Sequence, residues 1–185
     1  MIRMRLIALA FLTLLGGCAT YEVVEKPQFE GPDNSYTVSL PVKWVRLPAF
    51  SERVDLTRDG TGLQRILIAR AKADNAFPKL KRPASEKLLP SELADLQIAE
   101  LKSMSEQLAA LVVVDNAPAT VGGRPGGFRL QTTWTTNRGL KVGQIHYGVA
   151  YRGYYYLLSY QAPLLHYFDR YRPEFEQTVA SFRLN

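Results

Sequence analysis

One cysteine, two histidines and one glycine-rich run are the residues of this chain best equipped for chemistry. Cys18 is the sole thiol, and a thiolate is both a nucleophile and a metal ligand. His146 and His166 are the only imidazoles, the side chains suited to moving protons near neutral pH. A general base also needs a cleft and an orienting partner. The spacing supplies neither: His146 alternates with Gln144 along an extended run, and His166 precedes a helical pattern. No H-E-x-x-H pair offers a zinc site, and no G-x-S-x-G turn presents a serine nucleophile. The run Gly122 to Gly127, "GGRPGG", lacks the Gly-Lys-Ser/Thr ending of a phosphate loop and opens no helix, so it is expected to turn a hairpin. No catalytic residue, no metal and no cofactor is assigned.

The surroundings of Cys18 explain the cysteine differently. Arg3 and Arg5 precede "LIALAFLTLL", an apolar run too short to cross a bilayer core of about 30 Å as a helix. Leu15, Gly16, Gly17 and Cys18 follow. This "LGGC" resembles the lipobox of bacterial lipoproteins. The resemblance implies a signal peptide over residues 1–17, cleavage between Gly17 and Cys18, and a diacylglycerol on the Cys18 sulfur. It also implies an acylated new amino terminus. Two or three acyl chains hold a protein durably, since each buried CH₂ contributes about 0.8 kcal/mol. Ala19 stands where an aspartate would resemble an inner-membrane retention signal. The expected location is therefore the outer membrane on its periplasmic side, with the periplasmic face of the inner membrane as the alternative. A thioether at Cys18 leaves the chain without a free thiol.

The remaining elements must form a fold around these few groups. The chain has 185 residues, 46% of them hydrophobic and 22% charged, with a net charge of +6. Loss of Arg3 and Arg5 leaves about +4, a modest excess with no dense basic run, so nucleic acid is not an expected partner. Residues 18–34, with Pro27, Gly31 and Pro32, read as the lipidated cysteine and a flexible tether reaching about 20–24 Å. A single globular domain is expected over 35–185. Tyr36, Val38 and Leu40 have strand spacing, and Pro41 ends that strand ahead of Trp44. Residues 53–71 read as two strands joined at "DGTG". Residues 72–90, carrying Pro78, Pro83 and Pro90, read as a long exposed loop. Ser91 is the expected cap of a helix bearing Leu93, Leu96, Leu101, Met104 and Leu108 on one face. "LVVVDNAPATV" predicts two short strands turning at Asp115-Asn116. Three long strands follow in a meander, linked at Asn137 to Gly139 and at Arg152-Gly153. Leu164, Phe168, Tyr171, Phe175, Val179 and Phe182 mark a closing helical stretch, restarted at Pro173.

Eight of the 10 tyrosines fall between Tyr147 and Tyr171. Tyrosine combines apolar area with a polar tip, which suits interfaces as well as sheet cores. Arg129, Gln131, Gln144, His146, Tyr154 and Tyr156 are the candidate interaction surface, provided their strands pair so as to bring them together.

The order of elements resembles the PsbP-like fold, a family that includes photosystem lumen proteins and bacterial DcrB-type lipoproteins. "YTVSLPVKW" is similar to its opening strand. "VDNAPATVGGRPGGFRLQTTW" is similar to its glycine turn and long strand. The run from Tyr154 to Leu184 is similar to its closing strand, helix and terminal Ser-Phe. The resemblance spans residues 35–184 and implies an α+β fold, an antiparallel β-sheet with helices packed on both faces. It implies binding or assembly rather than catalysis, and brings no catalytic set. The function expected is a lipid-anchored, periplasm-facing binding or assembly module with an envelope protein partner. Its alternatives are a carrier of an apolar ligand such as a lipid, and an envelope hydrolase with an unrecognised site.

Overall fold

The computed structural model describes residues 21–48 and 53–185. The expected signal peptide, the Gly17–Cys18 cleavage point and the acylated sulfur lie outside the described residues.

Alternating side chains and tight turns make this a sheet protein. The strands are β1 (Glu22–Val23), β2 (Gln28–Glu30), β3 (Tyr36–Ser39), β4 (Val45–Arg46), β5 (Arg53–Thr57) and β6 (Arg65–Lys72). They continue as β7 (Val112–Val121), β8 (Arg124–Thr135), β9 (Lys141–Tyr151), β10 (Tyr154–Pro163) and β11 (Arg183–Leu184). The helices are α1 (Pro90–Lys102), α2 (Glu106–Ala109) and α3 (Phe168–Ser181). Eight strands form the main sheet in the order β1-β4-β5-β6-β10-β9-β8-β7, and β11-β3-β2 form a second sheet. The pairings are antiparallel throughout. The β9–β10 hairpin turns on Arg152 and Gly153, both left-handed at φ 47° and 76°, as a two-residue turn matched to strand twist requires. The β7–β8 hairpin turns on Gly122 and Gly123 at φ 61° and 78°. A Cβ on Gly122 would also come within 2.7 Å of Leu184, so this turn doubles as a seat for the C-terminal strand.

Both sheet faces are covered, as the α+β reading expected. Ile66, Ile68, Ile145, Val149, Leu158 and Tyr160 pack one face against Trp44, Phe168 and Phe175, beside Tyr36 and Val38 of the small sheet and Phe182 at the end of α3. Phe128, Leu130, Ala150 and Tyr155 pack the other against Phe77, Leu93 and Ala94. The terminal Ser-Phe closes the first core. Ser181 Oγ accepts from Ser39 N at 2.8 Å, and the Phe182 ring lies 5.0 Å from Tyr36 and 6.3 Å from Tyr156.

Several expectations are corrected. Residues 21–34 are not a free tether: β1 pairs with β4, β2 pairs with β3, and Val24 is buried. Val24 and Phe29 reach the core, which periodicity over so short a run did not show. The 72–90 segment is not simply exposed. Phe77 is buried 5.0 Å from the Tyr155 ring, and Glu100 of α1 accepts from Lys79 N and Leu80 N at 3.0 and 3.1 Å. Helix α1 starts at Pro90 rather than after Ser91. Proline at the first position needs no N–H partner, and Glu92 Oε2 accepts from Leu89 N at 2.8 Å. It ends before Met104, which is exposed, and Leu108 belongs to α2, capped by Ser105. No turn occurs at Asp115-Asn116; the break in pattern is a bulge between Val113 and Asp115 within one strand. Pro173 sits inside a continuous α3 rather than restarting it.

Candidate interaction surface

The six residues expected to share a surface fall into three places, because strand register decides which faces match. Arg129 opposes Tyr147 and Gln131 opposes Ile145, on the α3 side. Gln144 opposes Thr132 and His146 opposes Leu130, on the α1 side. One surface through all four is thereby excluded. Tyr154 opposes Lys72 and Tyr156 opposes Arg70, at the β9–β10 turn.

Arg129 is consumed internally. Its Nε donates to Tyr147 Oη at 3.1 Å, and its Nη1 donates to Asp115 Oδ2 at 2.8 Å. A third contact runs from its Nη2 to Gln131 Oε1 at 3.3 Å. Tyr147 in turn donates to Glu176 Oε2 on α3 at 2.7 Å. Burial, followed by the Glu176 hydrogen bond, pushes the Tyr147 phenol up to about 12, so it stays protonated and donating. This network fastens α3 to the sheet and leaves Arg129 little to offer a ligand.

Gln144 and His146 are interior. Gln144 accepts from Thr132 Oγ1 at 3.3 Å and donates to Gln161 Oε1 at 3.1 Å. His146 is 4% exposed, and neither ring nitrogen has a hydrogen-bond partner among the described residues. Burial alone lowers its pKa to about 4, which keeps it neutral near pH 7. The sequence singled out its polarity, but alternation along one strand does not reveal that a helix covers that face.

Tyr154 and Tyr156 lead to the arrangement with the most capacity to bind. The β9–β10 turn forms a ridge between two clefts of about 250 and 260 Å³, and Tyr151 and Tyr154 line both. Arg70, largely buried on β6, lies 4.4 Å from the Tyr154 ring centroid and pairs with Asp33 Oδ2 at 2.9 Å. Arg124 and Arg152 lie 4.3 and 5.1 Å from the Tyr151 centroid. Arg152 is further held where its N–H donates to Glu86 Oε1 at 2.7 Å and its Nη1 to Asn185 O at 3.0 Å. Burial raises the Tyr156 phenol, opposed by Ser35 and Arg70. Guanidinium groups stacked on aromatic faces are held at little further entropy cost, and Tyr and Arg are the residues that dominate binding energy at protein interfaces. Sequence reasoning found the tyrosines but missed Arg70, Arg124 and Arg152. Their spacing carries no signal; the sheet order β6-β10-β9 and the β7–β8 turn bring them together.

Half of the tyrosine cluster is core, and Tyr147, Tyr151, Tyr154 and Tyr167 are partly exposed. Tyr155, Tyr156, Tyr160 and Tyr171 are buried, with Tyr155 Oη donating to Gln97 Oε1 at 2.9 Å. Among the described residues no group of three His, Cys, Asp or Glu could hold a metal ion, and no helix is long and apolar enough to cross a membrane.

No family model and no curated protein matches the sequence. Solved structures do match in shape. The Ran-binding protein Mog1p of Saccharomyces cerevisiae superposes with a TM-score of 0.59 at 9% identity, over 90% of this chain and 96% of that one. Cyanobacterial PsbP (CyanoP) of Synechocystis gives 0.59 at 12% identity, over 92% and 99%. LpqN of Mycobacterium tuberculosis, involved in cell envelope biogenesis, gives 0.53 at 18% identity, over 91% of each chain. The chain therefore shares the PsbP/Mog1-like fold, and at such identities the likeness speaks of the fold alone.

Proposed function

We propose that this protein is a lipid-anchored binding or assembly module of the bacterial envelope, non-catalytic, facing the periplasm. Cys18 carries the anchor, and an envelope protein docks at the Tyr–Arg ridge around the β9–β10 turn. The lipobox reading supports the anchor. Ala19 after the cysteine favours the outer membrane over the inner one. The observation that carries the docking site is the set of three arginines against Tyr151 and Tyr154 between two clefts. That the fold also serves a Ran-binding protein and an envelope-biogenesis protein is consistent with a binding role. The surplus of guanidinium over carboxylate at the ridge suits a partner with acidic side chains.

The apolar-carrier alternative calls for an enclosed cavity between helix and sheet. Between α3 and the sheet, the Tyr160 ring lies 5.5 Å from Phe168 and 5.6 Å from Phe175, rings that stack closely where such a cavity would open.

A photo-crosslinking residue placed at Tyr154 in the full chain, in its own cells, tests the docking site. One envelope protein should be captured there and not from Met104, and Arg124→Ala should cut the yield several-fold. Equal capture at both positions, or a yield indifferent to Arg124, defeats the reading.

A further inference from the structure

The position of Cys18 relative to the described residues bears on how an anchored domain would sit. Tyr21, the first described residue, is three positions after Cys18. At 3.3–3.6 Å per extended residue, the chain between them reaches about 10 Å at most, roughly a fifth of the full extension of a free tether over 18–34. A domain acylated at Cys18 is thus unable to float away from the headgroups. Whatever surrounds Tyr21 meets them.

That neighbourhood is β1, the edge strand of the main sheet. Tyr21 is 71% exposed and Val23 54%, and Val42, in the turn whose Lys43 N–H bonds Val24 O, is 46% exposed. These are large apolar side chains left in water at one edge. An aromatic ring with a polar tip is what the bilayer interface favours. The charges around them leave an excess of two positive groups. Lys26, Lys43, Arg53 and Arg58 stand near Glu25 and Asp59, while Glu22 and Arg46 pair with each other. The contact is driven by apolar tips and proximity, and the small positive excess adds attraction to anionic headgroups.

We infer that the β1 edge is the membrane-apposed side of this protein, seated on the phospholipid surface through Tyr21, Val23 and Val42. The inference rests on acylation of Cys18. It places β7, at the opposite edge of the sheet, seven strand spacings or about 33 Å farther from the bilayer. The Tyr–Arg ridge on β10 stands four spacings away, about 19 Å, clear of lipid and open to a partner.

Acylated protein in phosphatidylcholine vesicles carrying headgroup nitroxides tests this. With Cys18 blocked, an added cysteine is the only thiol, so fluorophores can be placed at Lys26→Cys or, as the far-edge control, Val114→Cys. Quenching at position 26 should exceed that at 114 several-fold, and replacing both Tyr21 and Val23 by serine should halve it or more. Equal quenching at the two positions, or no response to the serine pair, overturns the inference. Mass spectrometry of the same sample separates the two readings. Acylated Cys18 with equal quenching sinks the orientation alone, while unmodified Cys18 sinks the anchor and the orientation together.

Discussion

His146 shows how little a residue's chemistry says without its surroundings. An imidazole on a strand reads as a possible acid or base; here it lies under α1, without a hydrogen-bond partner among the described residues. Its consequence is for stability. The folded pKa of about 4 lies below the unfolded value of 6.5, so the unfolded state binds the proton first. Stability is intact above pH 6.5 and falls as pH drops from 6.5 towards 4, by at most about 3 kcal/mol. His146→Leu removes that proton uptake. Urea unfolding at pH 7 and pH 4.5 should show the variant gaining about 2–3 kcal/mol on the parent between the two conditions; parallel changes would contradict it. Arg129 teaches the same lesson in reverse. It reads as a surface cation, yet its donors are taken up by Tyr147, Asp115 and Gln131.

Helix α1 depends on a polar residue that apolar periodicity passes over. Gln97 and Glu100 lie on its buried face with Leu93, Ala94 and Leu101. The Glu100 carboxylate gathers two backbone N–H groups from the 73–89 segment and so converts a proline-rich connection into a fixed cover over Phe77. Glu100→Ala orphans both donors and should cost about 2–4 kcal/mol in chemical unfolding. Amide exchange at Lys79 and Leu80 should accelerate more than exchange in β9; uniform acceleration would place the role of Glu100 elsewhere. The β7 strand is a companion case. The sequence marked a turn at Asp115-Asn116, and the same irregularity is absorbed as a bulge because β8 continues alongside and keeps pairing.

Across the molecule, the C-terminal stretch is fastened to β3 of the small sheet. β11 pairs with β3, and Phe182 packs between Tyr36 and Tyr156, tying the small sheet to the main one. Phe182→Ala should cost about 3–5 kcal/mol. Backbone exchange should rise in residues 36–39 as well as at the C-terminus; an effect confined to residues 183–185 would show that the small sheet stands without it. The same arrangement sets the geometry of binding. With the β1 edge towards a membrane, the Tyr–Arg ridge faces away from lipid by several strands. A partner would then meet this protein laterally or from above.

Strand spacing, the Arg152-Gly153 turn and the closing helix were legible in the amino-acid sequence, because they depend on period and turn chemistry within a few residues of each other; the two-sided α+β plan came from the resemblance to the PsbP-like fold. Register across β8, β9 and β10 was not legible, since alternation tells which residues of one strand share a face but not which faces of two strands coincide. That register split Arg129 and Gln131 from Gln144 and His146. It also took sheet order, set by hydrogen bonds between strands far apart in sequence, to place Arg70 beside Tyr154. The order of the residues 21–34 was decided the same way. A two-residue strand has no pattern of its own, and Glu22–Val23 is a strand only because β4 is there to pair with it.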